Sequence, residues 1–146
     1  MPAMTSQNRK FLVFSLLDVR YALDLEQVAE VGDSPRIWPI PLAPACYSGA
    51  LNFHGDIVAV MNLAFFLGRD GCGHSGKVII LHRDIASLAF LVDAVVKIVS
   101  EYEVSFNHHP DSGFTLGMLG LSDGEAILLD LDALVHEAEI DMQRDR

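Results

Sequence analysis

Cysteine is scarce in this chain of 146 residues, which holds Cys46 and Cys72 and no other. Two distant thiols make neither a disulfide framework nor a Cys-x-x-Cys pair, which excludes a stapled secreted scaffold and a dithiol redox centre. Basic side chains are also few. Ten Lys and Arg against twenty Asp and Glu give a formal net charge of −10, which repels nucleic acid and anionic lipid. No apolar run approaches the roughly 20 residues that a membrane-spanning helix needs, so direct membrane insertion is not expected. The opening MPAMTSQNRK carries no secretory leader, and a cytoplasmic location with reduced thiols is expected. A Gly-x-Ser-x-Gly elbow is missing, and neither cysteine stands in a nucleophile context. The reading is of a protein that is not an enzyme and has no cofactor.

What the chain has in quantity is apolar residues, at 51% with a mean hydropathy of +0.30. Such a balance means either strands buried on both faces or apolar surface reserved for partners. A single domain of this length buries roughly two thirds of the surface its unfolded chain exposes.

The stretch GCGHSGKV, residues 71–78, has two glycines and a lysine at phosphate-loop spacing. A phosphate loop needs a strand before it, a helix after it and a hydroxyl following the lysine. Here Asn62 opens a short helical pattern closed by Gly68, and Val78-Ile79-Ile80-Leu81 after the lysine reads as a strand. The order is inverted, and a flexible connector is expected. Cys72, His74, His108 and His109 are the candidate metal ligands, but Cys-x-His and His-His spacings fit tetrahedral zinc poorly, so no metal is expected.

Residues 1–9 read as a flexible lead-in. Residues 11–17 and 21–25 form an opening hairpin around a turn at Asp18-Val19-Arg20, and prolines at 35, 39, 41 and 44 impose an ordered loop or a sheet edge. Residues 50–53 and 57–61 flank the turn His54-Gly55-Asp56, and residues 116–121 and 125–129 flank Asp123-Gly124. Residues 77–81, 88–92 and 95–99 add three strands, with a loop over 107–113. Asp130 caps a helix whose Leu131, Leu134, Val135 and Ala138 share one face. Residues 55–66 and 124–134 repeat one plan of glycine turn, strand, Asx cap and helical turn. Nine or ten short strands with turns at short spacing indicate an all-β barrel or sandwich.

The line PLAPACYSGALNFHGDIVAVMNLAFFLG resembles the central pattern of the CheW family of chemotaxis coupling proteins. That pattern runs approximately P-x-x-P, Gly, N-L-R-G, P-V-x-D-L and a closing Gly. FLVFSLLDVRYALDLEQVAEV resembles the family's opening hairpin and V-x-E-V strand, KVIILHRDIASLAFLVDAVVKIV its V-D-x-V segment, and GMLGLSDGEAILLDLDALV its final hairpin and helix. The resemblance implies two pseudo-repeated five-stranded SH3-like β-barrels in one domain over residues 10–138. A linker between the barrels is expected at about 69–76, and a charged solvated tail at 139–146. It also implies a non-catalytic adaptor whose partners are the regulatory domain of a chemotaxis-type histidine kinase and the cytoplasmic tip of a chemoreceptor. The alternatives are a divergent array paralogue without receptor coupling, or a nucleotide binder at residues 71–77. Partner contacts are expected at Val28, Glu30 and Val31, at Gly49, His54 and Gly55, and at Asp93 and Val95. Three positions depart from the pattern: His54 stands for the arginine, Ala59 for the proline and Asn62 for the aspartate. Arginine is permanently charged and an imidazole is not, so contact between His54 and an acidic partner would strengthen as pH falls.

Overall fold

The structure, a computed structural model, describes residues 9–33, 36–41, 47–67, 76–108 and 114–144. Eleven strands are present among them: β1 (Lys10–Leu16), β2 (Val19–Asp24), β3 (Val28–Asp33), β4 (Tyr47–Phe53), β5 (Asp56–Asn62), β6 (Lys77–Leu81), β7 (Leu88–Val92), β8 (Ala94–Ser100), β9 (Ser105–His108), β10 (Thr115–Leu121) and β11 (Gly124–Leu129). The short helix α1 (Leu63–Phe66) follows β5, and α2 (Leu131–Arg144) follows β11. One sheet runs β8-β1-β2-β11-β10-β9 and the other β3-β6-β7-β5-β4. Each is an SH3-like subdomain, so the expected all-β, two-barrel architecture is what the chain forms.

The two sheets repeat one register. Glu30, Ile80, Ala89, Val60 and Gly49 lie in one row across β3-β6-β7-β5-β4. Lys97, Val13, Ala22, Leu128 and Gly117 form the corresponding row across β8-β1-β2-β11-β10. Each row has its parallel pair in the same place, β7 with β5 and β2 with β11. The sixth strand of the larger sheet, β9, also has a counterpart. Trp38 makes a single bridge to Ala50 of β4, with reciprocal bonds of 2.8 and 2.7 Å. The expected loop over 107–113 therefore begins as strand, because Asn107 pairs with Met118; residues 109–113 lie outside the described residues.

Alternation along the strands builds three cores. Phe11 and Val13 face the interior of the six-stranded barrel with Ala22, Val99, Leu119 and Leu128. Leu51, Val58, Val60, Val78, Ile80 and Leu91 fill the five-stranded one. Leu12, Phe14 and Leu16 face the opposite way and meet Ile79, Leu81, Phe90 and Val92 in a core between the barrels, as period-2 side-chain placement requires. All five residues of β7 are buried. Strands covered on both faces thus account for much of the high apolar content. Helix α2 seals this central core with Leu131, Leu134, Val135 and Ala138, the face marked out by the sequence. Asp130 Oδ1 accepts the N–H of Ala133 at 3.2 Å, the expected cap.

Four boundaries differ from expectation. The helix continues through Arg144 rather than releasing a tail at 139, because EAEIDMQR has no glycine or proline and is dominated by good helix formers. Arg9 is tethered, its N–H donating to Glu101 Oε1 at 3.0 Å and its guanidinium paired with Asp24 at 3.0 Å. The first turn is Leu17-Asp18, with φ of 49° and 67°, since Leu16 already pairs with Val19; a two-residue hairpin loop of this hand takes positive φ at both positions. The connection over 69–76 is not the inter-barrel linker. Its flanks, β5 with α1 and β6, belong to the same sheet, and the chain crosses between sheets at Leu25–Gln27 and at Asp93. Gly76 and Lys77 are described at its end. Lys77 opens β6 and its ammonium pairs with Asp33, while Gly76 N–H donates to the carbonyl of Val92 at 3.2 Å. Cys72, His74 and His109 lie outside the described residues.

Candidate functional site

The open end of the five-stranded barrel is built around the turn between β4 and β5. Phe53 pairs with Asp56, leaving His54 (φ 52°) and Gly55 (φ 90°) as a two-residue loop of the left-handed type. Histidine is among the side chains that tolerate this region. Asn52 Oδ1 accepts the N–H of Gly55 at 2.9 Å and fixes the turn. The imidazole lies against the Phe53 ring, centroids 4.3 Å apart.

Across the opening, β3 places Glu30 in the same row as the barrel-interior residue Ile80. Its Oε1 is 3.8 Å from His54 Nε2. Beside Glu30 opens a cavity of about 380 Å³ whose walls include Arg36, Asn52, Trp38, Leu51, Phe53 and Ile80. Trp38 is 48% exposed, with the Arg36 guanidinium 5.6 Å from its ring centre. Asp33 is paired with Lys77, and Asp56 with Arg83 at 3.6 Å.

The structure brings Glu30, His54 and Gly55 together at this end and distributes the other expected contacts elsewhere. Gly49 underlies the site: a Cβ there would stand 2.3 Å from the Trp38 carbonyl oxygen, so only glycine lets the Trp38 segment lie on β4. Val31 is 37% exposed but sits on the opposite face of β3. Val28 is a core residue, because the irregularity between Val28 and Glu30 turns it inward to pack in the central core. Val95 packs partly buried against that core. Asp93 holds the crossover: its Oδ2 accepts the N–H of Leu17 at 2.7 Å, and its N–H donates to the Ser15 carbonyl at 3.0 Å. His54 faces this chain's own Glu30.

Sequence reasoning passed over Trp38 and Arg36 because the prolines around them spoke only of an irregular segment. The chain's single tryptophan between Pro35 and Pro39 was the available signal. It also passed over the equivalent end of the six-stranded barrel. There Lys97, the counterpart of Glu30, reaches the β10–β11 turn and binds Asp123 at 2.8 Å, with Arg20 on the same oxygen at 3.0 Å. The Lys97 ammonium and the Arg20 guanidinium hold the Asp123 carboxyl down at about 2. Phe11, Val104, Phe106 and Leu116 help line a cavity of about 330 Å³ in this barrel. Ala59 N–H donates to the Ser87 carbonyl at 3.1 Å, a bond that the proline of the family pattern could not make. Among the described residues no polar or charged side chain is buried.

Two interleaved SH3-like barrels, each with an edge strand whose side chain reaches the hairpin turn across the barrel, define a twin-barrel β class. Comparison with known proteins identifies the branch. The family model described as "CheW-like domain" matches residues 10–139, so the chain belongs to the CheW-like domain family. It is 29% identical to the chemotaxis protein CheW of Thermotoga maritima, over 88% of this chain and 89% of that protein. It is 23% identical to that of Rhizobium meliloti, over 93% of each. The crystal structure of scaffolding protein TtCheW from Thermoanaerobacter tengcongensis superposes with a TM-score of 0.72 at 28% identity, covering 84% of this chain and 89% of that one. The function that follows is that of a chemotaxis coupling adaptor linking receptors and kinase.

Proposed function

We propose that the chain performs this coupling without catalysis, by docking the regulatory domain of a cognate histidine kinase and the cytoplasmic tip of a chemoreceptor onto its barrel ends. The observation that carries the reading is a cavity in each barrel with an exposed aromatic in its wall, Trp38 in one barrel and Phe106 in the other. Aromatic anchors beside desolvated pockets dominate binding energy in protein interfaces. The reading places the chain in the cytoplasm, and among the described residues no helix is long and apolar enough to cross a membrane. Glu30, His54 and Gly55 contribute directly, while Gly49 acts by seating Trp38. Titration calorimetry with the kinase regulatory domain, and separately with the receptor tip, tests it. Binding in about the micromolar range is expected, weakened at least tenfold by Trp38→Ala or Phe106→Ala for the partner using that end. Lack of binding to either partner at roughly a hundred times that concentration would refute it.

A further inference from the structure

The cavity of the six-stranded barrel is closed on one side by the residue that precedes β1. Arg9 lies on the same side of the chain as Phe11, two residues on, and its guanidinium stands 5.0 Å from the centre of the Phe11 ring. Its Nε and Nη2 donate to Asp24 Oδ2 at 3.3 and 3.0 Å. Asp24 is the residue that β2 sets directly opposite Phe11, so cation, ring and carboxylate meet at one point. The backbone of Arg9 is joined to a different part of the chain. Its N–H donates to Glu101 Oε1 at 3.0 Å, and its carbonyl accepts the Glu101 N–H at 2.8 Å.

Glu101 opens the single-turn helix Glu101–Glu103, which a capping box stiffens. Glu103 Oε1 accepts the Ser100 N–H at 2.7 Å, and Ser100 Oγ accepts that of Tyr102 at 3.2 Å. This turn leads directly into Val104 and β9, where Phe106 is half exposed. Arg9, Phe11, Glu101, Val104 and Phe106 all stand in the cavity wall, and Asp24 lies outside it. The pseudo-repeat confines this clasp to one end. Counting back from the matched positions Val13 and Ile80, Lys10 corresponds to Lys77 and Arg9 to Gly76, and glycine has no side chain to lay over the barrel.

We propose that Arg9 is a positioning residue for docking at the Phe106 end. Asp24 and Phe11 hold its side chain, its backbone then holds Glu101, and the turn so fixed sets the wall formed by Val104 and Phe106. A partner meets this recess already in binding shape, and without the clasp its affinity falls by the fraction of molecules in which the wall is out of place. The inference rests on the adaptor reading and names a residue that serves one of its two ends.

The experiment is titration calorimetry with the kinase regulatory domain and, separately, with the receptor tip. It compares wild type, Arg9→Ala, Arg9→Lys, Asp24→Asn and Phe106→Ala, and the double variants that join Arg9→Ala to each of the last two. Asp24 Oδ1 accepts the Glu26 N–H at 3.1 Å, and Asn keeps an oxygen for that bond, so Asp24→Asn removes the charge and leaves the cap. For the partner using the Phe106 end, Arg9→Ala is expected to weaken binding about two- to fivefold, the scale of an exposed ion pair, and Arg9→Lys to recover part of it. Asp24→Asn should match Arg9→Ala, and the two together should be no weaker than either, since both remove one contact. In Phe106→Ala the Arg9 substitution should have no further effect, and the other partner's affinity should not change. Wild-type affinity in Arg9→Ala overturns the inference and leaves the adaptor reading standing. Unchanged or tighter binding by Asp24→Asn overturns it by showing that the guanidinium meets the partner directly. Equal losses for both partners overturn it by showing damage to the whole fold, and lack of binding by every form overturns both readings.

Discussion

Gly49→Ala should cripple the chain out of proportion to its size, because one methyl group meets backbone on one side and strain on the other. A Cβ at this position stands 2.3 Å from the Trp38 carbonyl oxygen, 2.9 Å from its carbon and 2.5 Å from Ile37 Cγ2. Neither backbone atom can rotate away, so the Trp38 segment must lift from β4. That breaks two short bridge hydrogen bonds, each contributing about 0.5–1.5 kcal/mol net. Position 49 also has φ of +148°, a conformation that costs a non-glycine residue about 1–3 kcal/mol. Together these give a loss of about 2–6 kcal/mol. With a urea slope of about 2 kcal/mol/M, the middle of the range for small domains, the unfolding midpoint should fall by roughly 1–3 M. Gly117→Ala is the internal control. Its Cβ would meet the Asn107 carbonyl oxygen at 2.3 Å and the Phe106 ring at 2.8 Å, but its φ is not positive. It should therefore cost the steric part alone, and the difference between the variants should report the backbone strain. A Gly49→Ala protein that unfolds within about 0.5 kcal/mol of wild type, the usual scatter of surface substitutions, would refute the close approach and with it the placement of Trp38 over the recess.

Two further outcomes follow from single groups. Asp93→Ala removes the carboxylate that caps the Leu17 N–H at 2.7 Å, and a charged hydrogen bond of this kind contributes about 1.5–3 kcal/mol; thermal unfolding should show that loss, while Asp93→Asn should recover part of it. Asp123 has its carboxyl held at about 2 against an ordinary 3.8, so its contribution to stability is present above pH 3.8 and is lost as pH falls towards 2. Asp123→Asn should flatten the acid limb of the stability profile between those values in urea titrations, and an unchanged limb would show that the Lys97 and Arg20 contacts do not persist in solution.

The fold was legible in the sequence wherever local chemistry and burial agree. Strands β6 and β7 stand out because both faces are buried and the runs are continuous, and the Asp130 cap with its leucine face marks α2. Leu17-Asp18 was harder to find, since leucine is a poor signal for positive φ and a bonding partner 76 residues away, Asp93, is what secures the turn. The assignment of strands to barrels was not legible from spacing either. It depends on parallel pairings of β2 with β11 and β5 with β7, which are non-local and leave no trace in either segment alone. At the candidate site, Glu30 could be found from its lone charge in an apolar strand. Its relation to His54 could not, because two segments must close around an opening before the pair exists.

The path of the chain has a consequence for synthesis. Strands β3 to β7 are contiguous, but β1 and β2 belong to a sheet whose other members come only after Val92. During translation the first hairpin emerges early and must wait, both of its broad faces apolar, until β8 and β11 leave the ribosome. Domains fold as contiguous units from the N-terminus where they can, so here the middle of the chain should gain structure before its beginning. A nascent chain stalled with residues up to 92 exposed should resist protease within strands β3 to β7 and remain cleavable at 10–24; protection in the reverse order would show that the opening hairpin finds shelter elsewhere.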